Sequence, residues 1–203
     1  MTQKNLERLS EYLRALKEST IEGKIFVSSR DIATKAGFSA DLVRKDLSKA
    51  GCFGKRGIGY NIDKLSDEIC EILGTNRRWK VALVGFGQLG QSLINYKGFA
   101  ESGFDITAIF EIDDKLIGEF FEDIPIYDAT QMPDICERET ILLAVVAVST
   151  ENSYKAIQRC FDAGIRGILN FTDRTGFIAP PHAKIRNVNI AIEMESLSYF
   201  ITK

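Results

Sequence analysis

The sequence predicts an α/β protein with two parts: a small domain of short helices, followed by a doubly wound parallel sheet. Three observations support this fold class. Apolar residues recur at helical spacing as far as residue 73. From residue 79 onward, apolar runs of strand length alternate with helical segments, which is typical of a parallel sheet covered by helices. Between the two parts, Gly74 and the polar residues 75–78 mark a domain boundary.

The composition is that of a globular protein with unevenly distributed charge. Of the 203 residues, 45% are hydrophobic and 27% are charged. The sequence contains no apolar run of membrane-spanning length and no signal-peptide pattern, so we expect a cytoplasmic protein. Residues 1–80 hold 16 Lys and Arg against 11 Asp and Glu, whereas the remainder holds 10 against 17. This asymmetry suggests that the first domain alone meets a polyanion.

Four helices are predicted in the first domain. The first is amphipathic, with leucines at helical spacing at positions 6, 9, 13 and 16. A short β-like run at 25–27 precedes the second helix, and Ser39 caps the third. The turn between these two helices contains Gly37, which is the pattern of a helix-turn-helix unit. Asp63 is the expected cap of the fourth helix.

The third helix carries a polar face of cations and small donors that suits a DNA major groove. Arginine can donate two hydrogen bonds to guanine, while lysine and serine reach bases or phosphates. A solvated surface is the alternative for this face alone. The glycine-rich segment 51–60 favours DNA, because it resembles a β-hairpin wing with adjacent cations at its tip. The predicted DNA-contacting residues are Ser39, Arg44, Lys45, Ser48, Lys49, Lys55, Arg56 and Tyr60.

A dinucleotide-binding pattern opens the second domain. The apolar run 81–84 is followed by Gly85, Gly87 and Gly90 at the spacing G-x-G-x-x-G. These glycines allow a tight turn, a close approach to a pyrophosphate and close packing of the next helix, whose N-terminus attracts an anion. A second strand at 106–110 ends at Glu111, where an acid that bonds a ribose hydroxyl is expected. A glycine turn that only packs is the alternative.

Further strands are predicted at 124–126, 140–146, 167–170 and 188–192, and a final helix at 195–202. Ligands of such sheets bind at the carboxyl ends of the strands. The predicted cofactor-binding residues are therefore Gly85, Phe86, Gly87, Gln88, Leu89, Gly90, Glu111, Ile112, Ala147, Val148, Asn170, Phe171 and Thr172. Acids at 111, 113 and 114 would repel a 2′-phosphate with no arginine beside them, so NAD(H) should be preferred over NADP(H).

Catalytic chemistry has little support in the sequence. The four cysteines are scattered without C-x-x-C pairing, so ordinary reduced thiols are expected, and no metal site is predicted. An NAD-dependent oxidoreductase would need a general acid or base and a substrate site. The one histidine, His182, lies in a Pro-Pro-His loop, and we expect no substrate domain after the sheet, so no catalytic residue is assigned. This oxidoreductase is kept as the alternative function, with a CoA-binding protein as a third.

With these motifs in view, the chain resembles the Rex family of redox-sensing transcriptional repressors along essentially its whole length. The matching segments are 43–48, 54–60, 76–79, 85–90, 167–171, 186–188 and 196–200. The resemblance implies a winged-helix DNA-binding domain at 1–78, a Rossmann NAD(H)-binding domain at 79–192 and a C-terminal helix at 193–203 that is swapped between the subunits of a homodimer. It also implies a repressor that binds palindromic double-stranded operator DNA and releases it when NADH binds, with NAD+ competing more weakly.

The resemblance implies roles for individual residues. It assigns DNA contacts to Arg44 and Lys45 of the recognition helix and to Lys55 and Arg56 of the wing. Arg14 and Tyr96 match residues that couple the domains through an acid, and this chain has Asn189 at the acidic position. A neutral side chain cannot form that ion pair. Glu111 stands where the family usually has Asp, and it can bond a ribose hydroxyl with a longer reach.

Overall fold

The computed structural model describes residues 1–202 as two compact units, Met1–Arg77 and the residues from Arg78 onward. The first unit contains α1 (Gln3–Ile21), β1 (Phe26–Val27), α2 (Ser29–Ala36), α3 (Ala40–Lys49), β2 (Tyr60–Asn61) and α4 (Ile62–Leu73). The second contains β3 (Trp79–Val84), α5 (Gln88–Ile94), α6 (Lys97–Glu101), β4 (Phe104–Glu111), β5 (Phe120–Phe121), β6 (Ile124–Asp128), α7 (Met132–Glu139), β7 (Leu143–Val146), α8 (Ser153–Asp162), β8 (Gly167–Asn170), β9 (Lys184–Asn187) and α9 (Ile190–Ile201).

The helices of the first unit begin at residues whose side chains satisfy free backbone N–H groups. Ser28 and Asp31 form a reciprocal capping box at the start of α2. Ser39 caps α3 by accepting a hydrogen bond from the Leu42 N–H, as predicted. α4 is capped by Asn61 rather than by Asp63, which lies in the first turn instead. The apolar faces of these helices enclose one core, formed by Leu9, Tyr12, Leu16, Val27, Ile32, Val43, Leu47, Ile62, Leu65 and Ile69.

The predicted wing is a tight turn next to a short antiparallel pair. β1 and β2 pair through Val27 and Tyr60, and a single bridge joins Lys55 to Gly59. Lys55 therefore lies at the base of the turn, and residues 56–58 form its tip. Gly59 has a φ of +98°, and a Cβ there would lie 2.3 Å from the carbonyl oxygen of Val27. Only glycine lets the turn return this close to β1.

A seven-stranded sheet in the order β5-β6-β4-β3-β7-β8-β9 forms the centre of the second unit. All neighbouring strands are parallel except β5, which pairs antiparallel with β6 at one edge. The order of the chain reverses between β3 and β7, and a parallel sheet binds ligands at such a switch point. Helices cover both faces, so apolar residues such as Val84, Phe110 and Val146 are fully buried. The predicted doubly wound fold is confirmed.

The last strand and the last helix differ from the prediction. The prediction of a strand at 188–192 is wrong, because β9 ends at Asn187. The last helix, α9, begins at Ile190, whereas the sequence predicted a start at 193 or 195. The side chain of Asn189 accepts hydrogen bonds from the N–H groups of Ala191 and Ile192, which caps a helix. A short apolar run such as 190–192 fits either a strand or a helix by periodicity, and the cap decides in favour of the helix.

No helix among residues 1–202 is both long and apolar enough to cross a membrane.

Candidate functional site

Each of the three glycines after β3 has a different structural role. Gly85 turns the chain with a φ of +93°, and a Cβ on it would lie 2.7 Å from the carbonyl oxygen of Ala147. A Cβ on Gly90 would lie 2.3 Å from the carbonyl oxygen of Gly85, so α5 packs directly on the loop. Gly87 is different, because a Cβ on it would meet no atom within 4 Å. Its free side faces open space, as expected of a loop that a pyrophosphate approaches closely.

Glu111, the last residue of β4, is fixed beside this loop by backbone N–H groups. One carboxylate oxygen accepts from the Phe86 N–H at 2.6 Å, and the other accepts from the N–H groups of Ile112 at 2.6 Å and Asp113 at 3.3 Å. The carboxylate therefore has a defined position at the carboxyl end of the sheet. An acid at this position can accept hydrogen bonds from ribose hydroxyls.

A cavity of about 200 Å³ lies at the switch point of the sheet. The predicted cofactor residues that line it are Gly85, Phe86, Gly87, Glu111, Ile112, Ala147 and Val148. The loop and cavity fit a dinucleotide: the floor is apolar, the glycine corner is open and one carboxylate is placed at the rim.

The other predicted cofactor residues lie outside the lining of this cavity. Leu89 is exposed on the first turn of α5 next to Gln88, and Gly90 is buried against the loop. Asn170 is fully buried: its amide donates to the Arg174 carbonyl oxygen at 3.0 Å, and its oxygen accepts from the Thr172 hydroxyl at 2.8 Å. Asn170 and Thr172 thus shape the loop after β8, and the cofactor contacts predicted for residues 170–172 stay a prediction.

Sequence reasoning missed the contribution of α8 to the cavity. The polar residues Ser149, Asn152, Lys155 and Arg159 line its other wall. Positions 152, 155 and 159 follow helical spacing directly after a buried strand, which is a signal that could have identified them. Arg159 lines the same cavity as Glu111, so the site contains an arginine that the prediction of coenzyme preference did not take into account.

A second groove, in the first unit, joins α2, α3 and the wing. It is lined by Ser28, Ser29, Arg44, Tyr60 and the whole of the turn 54–59. The fold thus brings Arg44 of α3 together with Lys55 and Arg56 of the wing. Lys45, Ser48 and Lys49 are exposed on α3, while Ser39 is occupied as its cap. This groove combines a helix face with a cationic turn, which is the layout of a winged-helix DNA surface.

Arg44 is held in place by two neighbours. One guanidinium nitrogen donates to the Ser29 hydroxyl at 2.8 Å, and another pairs with the carboxylate of Asp41. Asp41 was not among the predicted site residues. The arginine side chain is still 54% exposed, so its remaining donors are available.

Asp46, which follows Lys45 on α3, is buried in a polar cluster. Its carboxylate accepts hydrogen bonds from Asn5 at 2.9 Å, from Arg8 at 2.5 and 2.8 Å, and from the Tyr12 hydroxyl at 3.0 Å. The Arg8 hydrogen bond, with those of Tyr12 and Asn5, holds the pKa of Asp46 below its usual range despite burial. Burial and the bond to Asp46 raise the pKa of Tyr12 to about 12. This cluster ties α3 to α1.

Of the predicted coupling residues, Arg14 and Tyr96 are exposed and Asn189 is half-buried. Arg14 is largely exposed and lies 3.5 Å from Glu11, one turn before it on α1. Tyr96 is 56% exposed and makes an edge contact with Phe99. Asn189 caps α9.

Three of the four cysteines, Cys52, Cys136 and Cys160, are buried. Burial raises the pKa of Cys52 and of Cys136 to about 11 and that of Cys160 to about 12. These three thiols are therefore protonated near neutral pH, and thiols without thiolate character react slowly. Over residues 1–202, no three His, Cys, Asp or Glu side chains are grouped so as to hold a metal ion.

Comparison with known proteins identifies relatives along the whole chain. A family described as "CoA binding domain" matches residues 76–174, and one described as "Putative DNA-binding protein N-terminus" matches residues 3–48. The redox-sensing transcriptional repressor Rex of Clostridium beijerinckii is 35% identical over 198 residues, covering 98% of this chain and 93% of the relative. The repressor Rex 1 of Thermotoga maritima is 35% identical, covering 97% and 94%.

Solved structures agree with these relatives. The repressor RSP in complex with β-NAD+ and operator DNA superposes with a TM-score of 0.91 at 30% identity, covering 99% of this chain and 92% of that one. RSP in complex with β-NADH gives a TM-score of 0.85 at 29% identity, with 99% and 94% covered.

Proposed function

This chain belongs to the Rex family of redox-sensing transcriptional repressors, and we propose that it represses transcription by binding operator DNA and that NADH controls this binding. One observation carries the proposal: a single chain holds a cationic groove of winged-helix layout and an open glycine corner beside a fixed carboxylate. The relatives that match the whole chain are named repressors, so the protein is a regulator and not an enzyme. As a transcriptional repressor, the protein is expected to act in the cytoplasm.

On DNA, α3 enters the major groove and the wing lies against the neighbouring backbone or minor groove. Arg44 and Lys45 face base edges, and Arg56 at the tip of the turn reaches the narrow groove, where the negative potential favours arginine. Lys49 and Lys55 add phosphate contacts. Two copies would read half-sites about 34–36 Å apart, which explains a preference for palindromic operators.

In the second unit, the loop 85–90 holds the pyrophosphate and Glu111 holds the adenosine ribose. The bound coenzyme supplies a nicotinamide ring that is neutral when reduced and cationic when oxidised. Half-buried Phe171, packed on the sheet, belongs to an apolar environment that accepts the neutral ring better. NADH can release DNA only if it binds the DNA-released form more tightly than the DNA-bound form.

The decisive experiment is a coenzyme titration of a protein–DNA complex. A duplex selected by the protein from a random pool is labelled, and its binding is followed by fluorescence anisotropy with NADH, NAD+ or neither. We expect NADH to weaken binding by at least about tenfold, a typical allosteric coupling, and NAD+ to oppose it. Lys55→Ala, which removes a phosphate contact, should weaken binding to every DNA sequence and reduce the slope of the salt dependence by about one, with NADH affinity unchanged. A DNA affinity that does not change when NADH is added would refute the proposal.

The C-terminal helix supports assembly into a homodimer. Every side chain of α9 is exposed in the single chain, including Leu197 at 55% and Phe200 at 74%. A helix this apolar is stable in water only when another surface covers it. We therefore propose that a second copy covers α9, with the helix swapped between subunits, and that Arg14, Tyr96 and Asn189 lie near that contact.

Substitution of this helix tests the dimer. Leu197→Glu combined with Phe200→Glu should convert the protein from dimer to monomer in sedimentation velocity at micromolar concentration, because it places charge in an apolar interface. Glu195→Gln, a change on the same helix, is the control and should leave the dimer intact. A double variant that still sediments as a dimer would contradict the assignment.

Coenzyme selectivity follows from Glu111, with the α8 cations as a competing influence. The carboxylate is held in place by three N–H groups, so it cannot turn away from a 2′-phosphate. We expect NADH to bind more tightly than NADPH by on the order of tenfold, since like charges at the ribose repel. Calorimetric titration of both coenzymes measures the ratio, and Glu111→Gln should reduce it. Equal affinities for the wild-type protein would refute this role of Glu111.

A further inference from the structure

We propose that Asp41 is a specificity-determining residue for the operator, reading a cytosine beside the guanine that Arg44 reads. The inference rests on the proposed function, since it concerns how the same surface selects its DNA. Asp41 and Arg44 are three residues apart on α3 and therefore share one face of the helix. The Asp41 side chain is 88% exposed, so its carboxylate can reach a partner outside the protein.

The structure fixes the orientation of Arg44 from two sides. The Ser29 hydroxyl accepts from one terminal nitrogen at 2.8 Å, and the Asp41 carboxylate accepts from the other. Ser29 is itself buried, so the guanidinium lies against the start of α2. A guanidinium has five N–H donors, and two are used here. Three remain, which is enough for the paired hydrogen bonds to O6 and N7 of a guanine.

A carboxylate on this face has few acceptable partners on DNA. It repels phosphates, and it accepts hydrogen bonds from base amino groups, of which the cytosine N4 amino group is the usual partner of an acid in the major groove. A thymine or guanine at the same place would present an acceptor to an acceptor. Because Asp41 contacts Arg44 directly, the two side chains must reach bases within about one step of 3.4 Å along the strand. The pair therefore favours a guanine with an adjacent cytosine over a guanine with an adjacent thymine or guanine.

The attraction of an acid to the helix dipole does not account for this arrangement. Any acid in the first turn of a helix gains that attraction, of about 0.3–1 kcal/mol, in whichever direction its side chain points. Asp63 is an acid of this kind on another helix: it is exposed in the first turn of α4. It provides a matched control with the same change of charge in the same unit.

The test compares base preferences of wild type, Asp41→Asn, Asp41→Ala and Asp63→Asn, by sequencing duplexes selected from a random pool and then measuring affinities of single-base variants. At one position in each half-site, we expect the ratio of affinities for cytosine over thymine to be about tenfold smaller in both Asp41 variants than in wild type. Their affinity for unrelated DNA should rise a few-fold, because a negative charge is removed. Asp63→Asn should keep the wild-type preference, and all variants should bind NADH normally.

Two results would overturn the inference. If the Asp41 variants gain affinity equally for all sequences and keep their base preference, the carboxylate only restrains Arg44 in the free protein. If the wild-type protein binds DNA without any sequence preference, the proposed function itself fails, and this inference fails with it.

Discussion

Replacing Gly87 with valine should abolish NADH binding and leave the fold intact. Gly87 has a φ of −71° and a ψ of −171°, which any residue adopts, and an added Cβ meets no atom within 4 Å. The valine methyl groups would instead fill the space through which a pyrophosphate approaches the loop. We expect NADH affinity to fall by at least about 100-fold, with a thermal midpoint within about 2 °C of wild type. The variant should stay on operator DNA at NADH concentrations that release the wild-type protein.

A neighbouring glycine supplies the contrast. Gly90→Ala places a Cβ 2.3 Å from the carbonyl oxygen of Gly85, so loop and helix must separate. Overpacking of this kind costs about 1–3 kcal/mol, and the loss of coenzyme binding should then accompany a clear drop in stability. NADH binding by Gly87→Val at wild-type affinity would show that the pyrophosphate does not use this corner.

Replacing Asp46 with alanine should destabilise the first unit by about 3 kcal/mol, because it leaves the buried Tyr12 hydroxyl and the partly buried Arg8 without their partner. DNA binding should be lost at temperatures where the unit unfolds, and NADH binding by the second unit should persist. Urea unfolding followed by circular dichroism, together with an NADH titration, measures both effects. Asp63→Asn serves again as the control and should change the free energy of unfolding by less than about 1 kcal/mol, because it removes only the attraction of an exposed acid to the helix dipole.

The same carboxylate predicts a dependence on pH. Its pKa in the folded protein lies below its ordinary value of 3.8, so the cluster stabilises the first unit above that value and this contribution is lost as pH falls further. The free energy of unfolding of the wild-type first unit should decline as the medium is acidified below about pH 4, whereas Asp46→Asn should decline much less. Parallel acid profiles for the two proteins would contradict an ionised Asp46 in the cluster.

Sequence reasoning predicted the features that depend on local pattern. The glycine spacing, the apolar strands and the serine caps were sufficient to predict both folds and the glycine turn after β3. Family resemblance drew attention to the segment 43–48, but it did not distinguish an exposed Arg44 from a buried Asp46. Helical periodicity alone places both on α3, and the partners of Asp46 lie more than 30 residues earlier on α1.

Contacts between distant segments account for the remaining differences. The α8 cations reach the cavity only because β7 lies beside β3 in the sheet, which is a matter of strand order. The pairing of Ser29 with Arg44 depends on the angle between α2 and α3, which no spacing encodes. The strand predicted at 188–192 failed because an apolar run of this length suits both kinds of secondary structure, and Asn189 acts locally as a cap.

The bare apolar helix α9 also links the protein's activity to its abundance. If each subunit needs a second copy to cover this helix, newly synthesised chains are transient monomers with an exposed apolar surface before they dimerise. Repression should then increase more steeply than in proportion to the amount of protein synthesised, since only paired chains read both half-sites. At low expression, repression of the target genes would therefore be weaker than expected in proportion to the total number of chains in the cell.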